Sequence, residues 1–250
     1  MPIRILHLTD LHLHTDTDYQ LMGVNTRQSL LDVLEHSQAM ENKPDLILLT
    51  GDLAQDESAP AYQQLISIFE PLHIPVFVLP GNHDNPTLMQ QWLNTEWIST
   101  RQQILLPDWQ IVMLDSSVRN SNAGRLEKAQ LQYLQQCLEE HPHRHTLICI
   151  HHQPVPVGST WLDTMQIENG EEFIAMILAY QQVKAVLWGH VHQDFAQQRQ
   201  HIQLLASPAS CRQFLPGAVE YTIDPARGAG YRELILSTDG LIKTWVHWIH

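Results

Sequence analysis

Leu46-Ile47-Leu48-Leu49-Thr50-Gly51-Asp52 is a short aliphatic run that stops on a glycine and an aspartate. A run this short, this apolar and this sharply ended reads as a β-strand buried on both faces. Gly51 permits a tight turn after the strand, and Asp52 then lies just beyond its carboxyl end. The pattern recurs four times. Residues 5–9 lead to Asp10-Leu11-His12, and residues 76–79 lead to Pro80-Gly81-Asn82-His83-Asp84. Residues 147–150 lead to His151-His152, and residues 183–188 to Gly189-His190-Val191-His192.

Helical patterns fill the intervals. Apolar residues share one face over residues 26–40, 62–70, 127–140 and 171–180. Strand and helix alternate, so the first sheet is expected to be largely parallel. In such sheets ligands bind beyond the carboxyl ends of the strands, where all five motifs lie. After His192 the pattern changes. Residues 203–206, 218–223, 231–236 and 241–248 read as short strands, and Asp239-Gly240 marks a hairpin between the last two. A second, more antiparallel sheet is expected from them. No linker, repeat or low-complexity stretch interrupts the chain, so residues 1–250 are expected to form one α/β domain.

Composition narrows the function. The net charge is −13, with only 14 Lys and Arg. Such a surface repels long polyanions, which argues against nucleic acid as a partner. A small anionic substrate stays compatible if bound metal makes the pocket locally positive. No apolar run reaches the roughly 18 residues of a membrane span, and the first residues lack a secretory signal, so a cytoplasmic location is expected. Cys137, Cys149 and Cys211 have no metal-finger spacing and read as reduced thiols.

The five motifs offer Asp, Asn and His, donors suited to hard or borderline metal ions. Taken singly, each has an ordinary reading. An Asp after a strand is commonly a turn or helix cap, and an isolated His-x-His is commonly a surface accident. Their ordered recurrence at strand ends is what points to one centre. Ligand counting divides them into two sites that share Asp52: Asp10, His12, Asp52 and His192 for one, Asp52, Asn82, His151 and His190 for the other. Two divalent ions bring about +4 against two carboxylates, leaving positive charge for a phosphate. A hydroxide shared by two ions is a nucleophile at neutral pH. His83, left over from coordination, is the expected general acid, with Asp84 expected to orient its ring.

The ordered set DxH, GD, GNH[DE], H and GHxH resembles the signature of the calcineurin-like metallophosphoesterases. That resemblance implies a four-layer αββα sandwich of two mixed β-sheets flanked by helices, and a leaving group protonated by the His of GNH[DE], here His83. It also implies phosphate or nucleotide contacts from His12, Asp52, Asn82, His83 and His192. Residues 21–26, 154–158, Trp161-Leu162-Asp163 and 207–211 are similar to bacterial class III 3′,5′-cyclic AMP phosphodiesterases. Gln153 departs from the His-rich run expected beside His151-His152. The resemblance implies two divalent ions, iron or manganese, with zinc also suited to these ligands, and a cyclic nucleotide as the small-molecule substrate. Asn25 and Arg27 lie where they could approach it, although Arg27 also fits a solvated helix face. Cys211 and Phe214 fit either a nucleobase pocket or sheet packing. Another phosphodiester (a 2′,3′-cyclic nucleotide, a nucleoside diphosphate lipid, a DNA end) is the alternative substrate, and a non-catalytic module on the same fold is the alternative class.

Overall fold

The computed structural model describes residues 1–38 and 43–249. In the first half β1 (Ile3–Leu8) leads through a small hairpin, β2 (Gln20–Leu21) and β3 (Val24–Asn25), to α1 (Thr26–Gln38). Next come β4 (Leu46–Thr50), α2 (Ala59–Phe69), β5 (Val76–Leu79), α3 (Pro86–Trp92) and β6 (Ile98–Ser99). The second half opens with β7 (Gln103–Leu105) and β8 (Trp109–Met113), then α4 (Lys128–Glu140) and β9 (His145–Cys149). It continues with α5 (Thr160–Asp163), α6 (Gly170–Leu178), β10 (Val183–Trp188), β11 (Phe195–Arg199), β12 (Ile202–Ala206), β13 (Gly230–Leu236) and β14 (Ile242–Trp248). The expected end of the first helix, residues 39–40, lies outside the described residues.

Two six-stranded mixed sheets result, ordered β14-β13-β1-β4-β5-β6 and β11-β12-β10-β9-β8-β7. In each, four neighbouring strands are parallel and the antiparallel pairs lie toward the edges. The side-chain alternation of a strand then builds the layers. On β4, Leu46 and Leu48 join a core shared with Leu147, Leu187 and Leu205 of the other sheet. Ile47 and Leu49 face the other way, into a core with Leu30 and Val33 of α1 and Leu65 of α2. Val112, Ile148 and Val186 do the same on the far side, against α4 and α6. Strands buried on both faces and helices outside both sheets make the αββα sandwich.

Two expectations change. The late strands do not form a sheet of their own: β13 returns to pair antiparallel with β1, whereas β12 pairs parallel with β10. The second sheet grows instead from β8, β9 and β10. Residues 218–223 form no strand. A turn at Gly217, with φ +76°, folds this segment back, and only an isolated bridge between Phe214 and Ile223 pairs it. With no neighbouring strand edge, its β-favouring composition is not expressed. The hairpin at Asp239-Gly240 does form, joining β13 to β14.

Polar ties link the sheets. His7 on β1 is wholly buried and bonds Thr50 Oγ1 at 2.7 Å and the Ser207 hydroxyl. Burial, aided by nearby Arg232, drives its pKa down to about 3, so the ring is neutral. Arg232 of β13, also buried, donates to Asp194 Oδ1 and to the Ala206 carbonyl, each at 2.7 Å. No helix among the described residues is long and apolar enough to cross a membrane.

Candidate metal centre

The carboxyl ends of β1, β4 and β5 in one sheet meet those of β9 and β10 in the other. The meeting is built by backbone geometry. Asp10, His12, Asp52, His190 and His192 all have positive φ, between 48° and 63°. This left-handed conformation is uncommon outside glycine, with Asp, Asn and His the more tolerant types. It turns each loop sharply enough to aim i, i+2 side chains into one space. The first two loops are laced together: Asp10 N–H donates to the Gly51 carbonyl at 3.0 Å, and His12 N–H to that of Asp52 at 2.9 Å. Gly51 has no substitute here. Its φ is +92°, and a Cβ would lie 2.5 Å from His151 Nδ1.

The donor atoms converge. His192 Nε2 lies 3.3 Å from Asp10 Oδ1 and 3.3 Å from His12 Nε2. His151 Nε2 lies 3.4 Å from Asp52 Oδ1 and 3.2 Å from Asn82 Oδ1. Asp52 Oδ2 is 3.9 Å from His12 Nε2. Two of the rings are aimed by their other nitrogen. His192 Nδ1–H donates to the Arg212 carbonyl at 2.6 Å, and His151 Nδ1–H to that of Thr50 at 2.8 Å. Such bonds fix the tautomer and leave Nε2 to face inward. Thr9 Oγ1 and the His190 N–H both donate to the Asp10 carboxylate.

Charge is concentrated where water is scarce. Burial opposes ionisation of Asp10, but His192 and His151 outweigh it and hold its pKa at about 2. Asp52 is likewise held well below the usual range, burial being overcome by His151. Burial also disfavours protonated His151, yet Asp52 outweighs that and lifts it to about 9. For His12 and His190 burial dominates, lowering them to about 4 and about 3. The two carboxylates therefore draw positive charge to the centre while neutral imidazoles present lone pairs. His190 Nε2 is buried with no hydrogen-bond partner. Donor atoms of Asp10, His12 and His192 lie within 4.8 Å of one another, as do those of Asp10, Asp52 and His151. Oxygen and imidazole donors set this close, with an orphaned buried nitrogen among them, fit divalent ions.

His83 stands at the rim. Its N–H donates to Asp52 Oδ1 at 2.9 Å, and its ring meets that of His12 edge-on at 5.3 Å. Asp84 serves a different purpose from the one expected. Its carboxylate accepts from the N–H groups of Leu53, Ala54 and Gly81 and from the Tyr62 hydroxyl, at 2.9–3.1 Å. No hydrogen bond joins it to the His83 ring among the described residues. Four partners leave it no capacity to steer an imidazole, so it acts as the clasp between the GD and GNHD loops. Asp84→Ala would orphan three buried N–H groups and is expected to cost about 2–4 kcal/mol, read as a lower urea midpoint. An unchanged midpoint would show that the clasp is dispensable.

Other candidates separate cleanly. Cys211 is buried, its thiol directed to the Asp10 carbonyl at 3.4 Å, and belongs to packing. Asn25 caps α1, accepting from Gln28 N–H and donating to the Thr17 carbonyl. Neither Asn25 nor Arg27 lines the cavity over the centre. Gln153 is buried and donates to the Leu162 carbonyl at 2.7 Å, so it anchors α5. His152 bonds Ser116 and packs at 4.6 Å from the His190 ring. Phe214 does reach the cavity, together with Met22 and Trp161, which lie in stretches singled out by the resemblance without a role assigned, and Tyr221, which sequence reading missed. Apolar residues this far apart in sequence carry no local mark of a shared wall.

Residues 3–194 match the family described as calcineurin-like phosphoesterase. The chain is 38% identical over 245 residues to the 3′,5′-cyclic adenosine monophosphate phosphodiesterase CpdA of Haemophilus influenzae, covering 98% of this chain and 89% of that one. It is 39% identical over 246 residues to the protein of the same name in Escherichia coli, with the same coverage. Among solved structures, a dimetal phosphatase from Danio rerio superposes with a TM-score of 0.66 over 93% of this chain and 95% of that one, at 13% identity. Strand-end motifs, sandwich and family match agree, and the chain belongs to the calcineurin-like phosphoesterase family.

Proposed function

We propose that this protein is a binuclear metal-dependent phosphodiesterase that hydrolyses 3′,5′-cyclic AMP to 5′-AMP. The observation that carries the reading is near full-length similarity to relatives named as cyclic AMP phosphodiesterases, in a chain whose seven candidate ligands converge at one end of the sandwich. Asp10, His12, Asp52 and His192 would hold one ion, and Asp52, Asn82, His151 and His190 the other, with iron or manganese the proposed metals. When bound, such ions supply Lewis acidity toward a phosphoryl oxygen and a nucleophile at neutral pH. The protein's own part is positional and protonic. Asp10 and Asp52, buried and ionised, fix the ligand rings. Asn82 offers a neutral oxygen, which lowers no positive charge needed for the phosphate. His83, at the rim and beside Asp52, is placed to donate the proton that the departing 3′ oxygen takes as its bond to phosphorus breaks. The cavity over the centre, about 290 Å³, has no Lys or Arg in its lining among the described residues. A single catalytic domain in the cytoplasm completes the reading.

Purified protein is expected to carry about two metal ions per chain. With added Mn(II) or Fe(II), kcat/KM for 3′,5′-cyclic AMP is expected to exceed that for 2′,3′-cyclic AMP and for a generic aryl phosphodiester. Turnover of the aryl ester alone would end the cyclic AMP assignment and leave the metal centre standing. A metal content near zero after reconstitution would end the enzyme reading.

A further inference from the structure

One wall of the cavity is a cluster of three aromatic rings. Trp161 meets Phe214 at 4.9 Å and 80°, and meets Tyr221 at 5.2 Å and 70°. Phe214 and Tyr221 are 5.4 Å apart at 62°. The cluster is coupled to the metal centre, because Phe214 stacks on the His192 ring at 4.4 Å and 23°. Met22 closes its far side, with the Tyr221 hydroxyl 2.7 Å from its sulfur.

The wall is fixed from below. Ser159, wholly buried, accepts from Gln193 Nε2 and from the Gly217 N–H, each at 3.0 Å. It thereby ties the loop after His192 to the turn that carries Tyr221, immediately before α5 presents Trp161. Phe214 is nearly buried, yet Tyr221 is 55% exposed. Tyr221 thus keeps one ring open to the cavity while the rings behind it are fixed in place. The cavity has the candidate metal ligands at one end and aromatic rings at the other, with no Lys or Arg between them among the described residues.

A 3′,5′-cyclic nucleotide has the same polarity: an anionic phosphodiester at one end and a flat aromatic base at the other. We infer that the Trp161–Phe214–Tyr221 wall is the nucleobase platform, and that it sets preference for a nucleoside over a base-free cyclic phosphate. Stacking on aromatic side chains is tolerant of base identity, because every base has a flat π-face. The platform therefore favours cyclic nucleotides as a class over base-free cyclic phosphates. This inference rests on the phosphodiesterase reading above, and its test separates the two.

The measurements are kcat/KM for 3′,5′-cyclic AMP and for methyl riboside 3′,5′-cyclic phosphate, which lacks a base, and adenosine binding by saturation-transfer NMR. Tyr221→Ala, at an exposed position, and Trp161→Ala are each expected to lower the cyclic AMP to base-free ratio by about tenfold or more, mainly through KM. Trp161→Phe is expected to recover most of it, and adenosine binding is expected to weaken in both alanine variants. A proportional fall for both substrates would make the wall structural support and overturn the inference. So would an unchanged ratio, or adenosine bound equally by all variants. If the wild type hydrolyses neither substrate while adenosine binding still depends on Tyr221 and Trp161, the platform stands and the phosphodiesterase reading falls.

Discussion

Asp52→Ala is expected to empty both metal sites and to cut kcat/KM for a phosphodiester by about 10³-fold or more. Asp52 is the carboxylate that faces both groups of donors. One oxygen lies 3.9 Å from His12 Nε2, and the other lies 3.4 Å from His151 Nε2 and accepts the His83 N–H. Its removal takes away the negative charge that faces both His12 and His151, so neither ion keeps a full ligand set. Asp52→Asn preserves volume and one oxygen and is expected to retain part of the metal. Elemental analysis after dialysis reads the result directly. Two ions retained per chain in the alanine variant would refute the shared-ligand assignment.

His83→Ala is expected to do the opposite: metal content near that of the wild type, with kcat lowered by about 10²–10⁴-fold. The loss should depend on the leaving group. A 3′ ribose oxygen departs poorly without a proton, whereas a p-nitrophenolate departs readily as the anion. Cyclic AMP turnover should therefore fall far more than bis(p-nitrophenyl) phosphate turnover. Equal losses on both substrates would remove His83 as the proton donor. Loss of metal would instead place it among the ligands, a role its proximity to His12 and Asp52 makes worth testing.

Much of the centre was legible because its residues advertise themselves in order. Each of Asp10, Asp52, Asn82, His151 and His190 follows an apolar run, and a strand end is a place that sequence locates well. The αββα sandwich itself came through the family resemblance. Alternation alone could not tell that β13 pairs with β1 while β12 pairs with β10, since strand choice depends on partners far away in the chain. Asp84 shows a second limit. Its place beside His83 suggested a catalytic orienter, but folding brings Leu53, Ala54 and Tyr62 to its oxygens. The aromatic wall shows a third. Trp161 and Tyr221 are separated by 60 residues, and only the turn at Gly217 and the anchoring of α5 bring their rings together.

The left-handed backbone at Asp10, His12, Asp52, His190 and His192 has an evolutionary consequence. Five of the seven candidate ligands occupy a conformation that glycine adopts at lower cost. The hydrogen bonds these side chains make return only part of that strain, so heat resistance and metal retention favour different residues at the same positions. Under selection for robustness alone, a lineage of this fold would drift toward glycine at these loops and lose its ions first. The loops then preserve a record of demand: wherever they still carry Asp and His, some ligand has been keeping them.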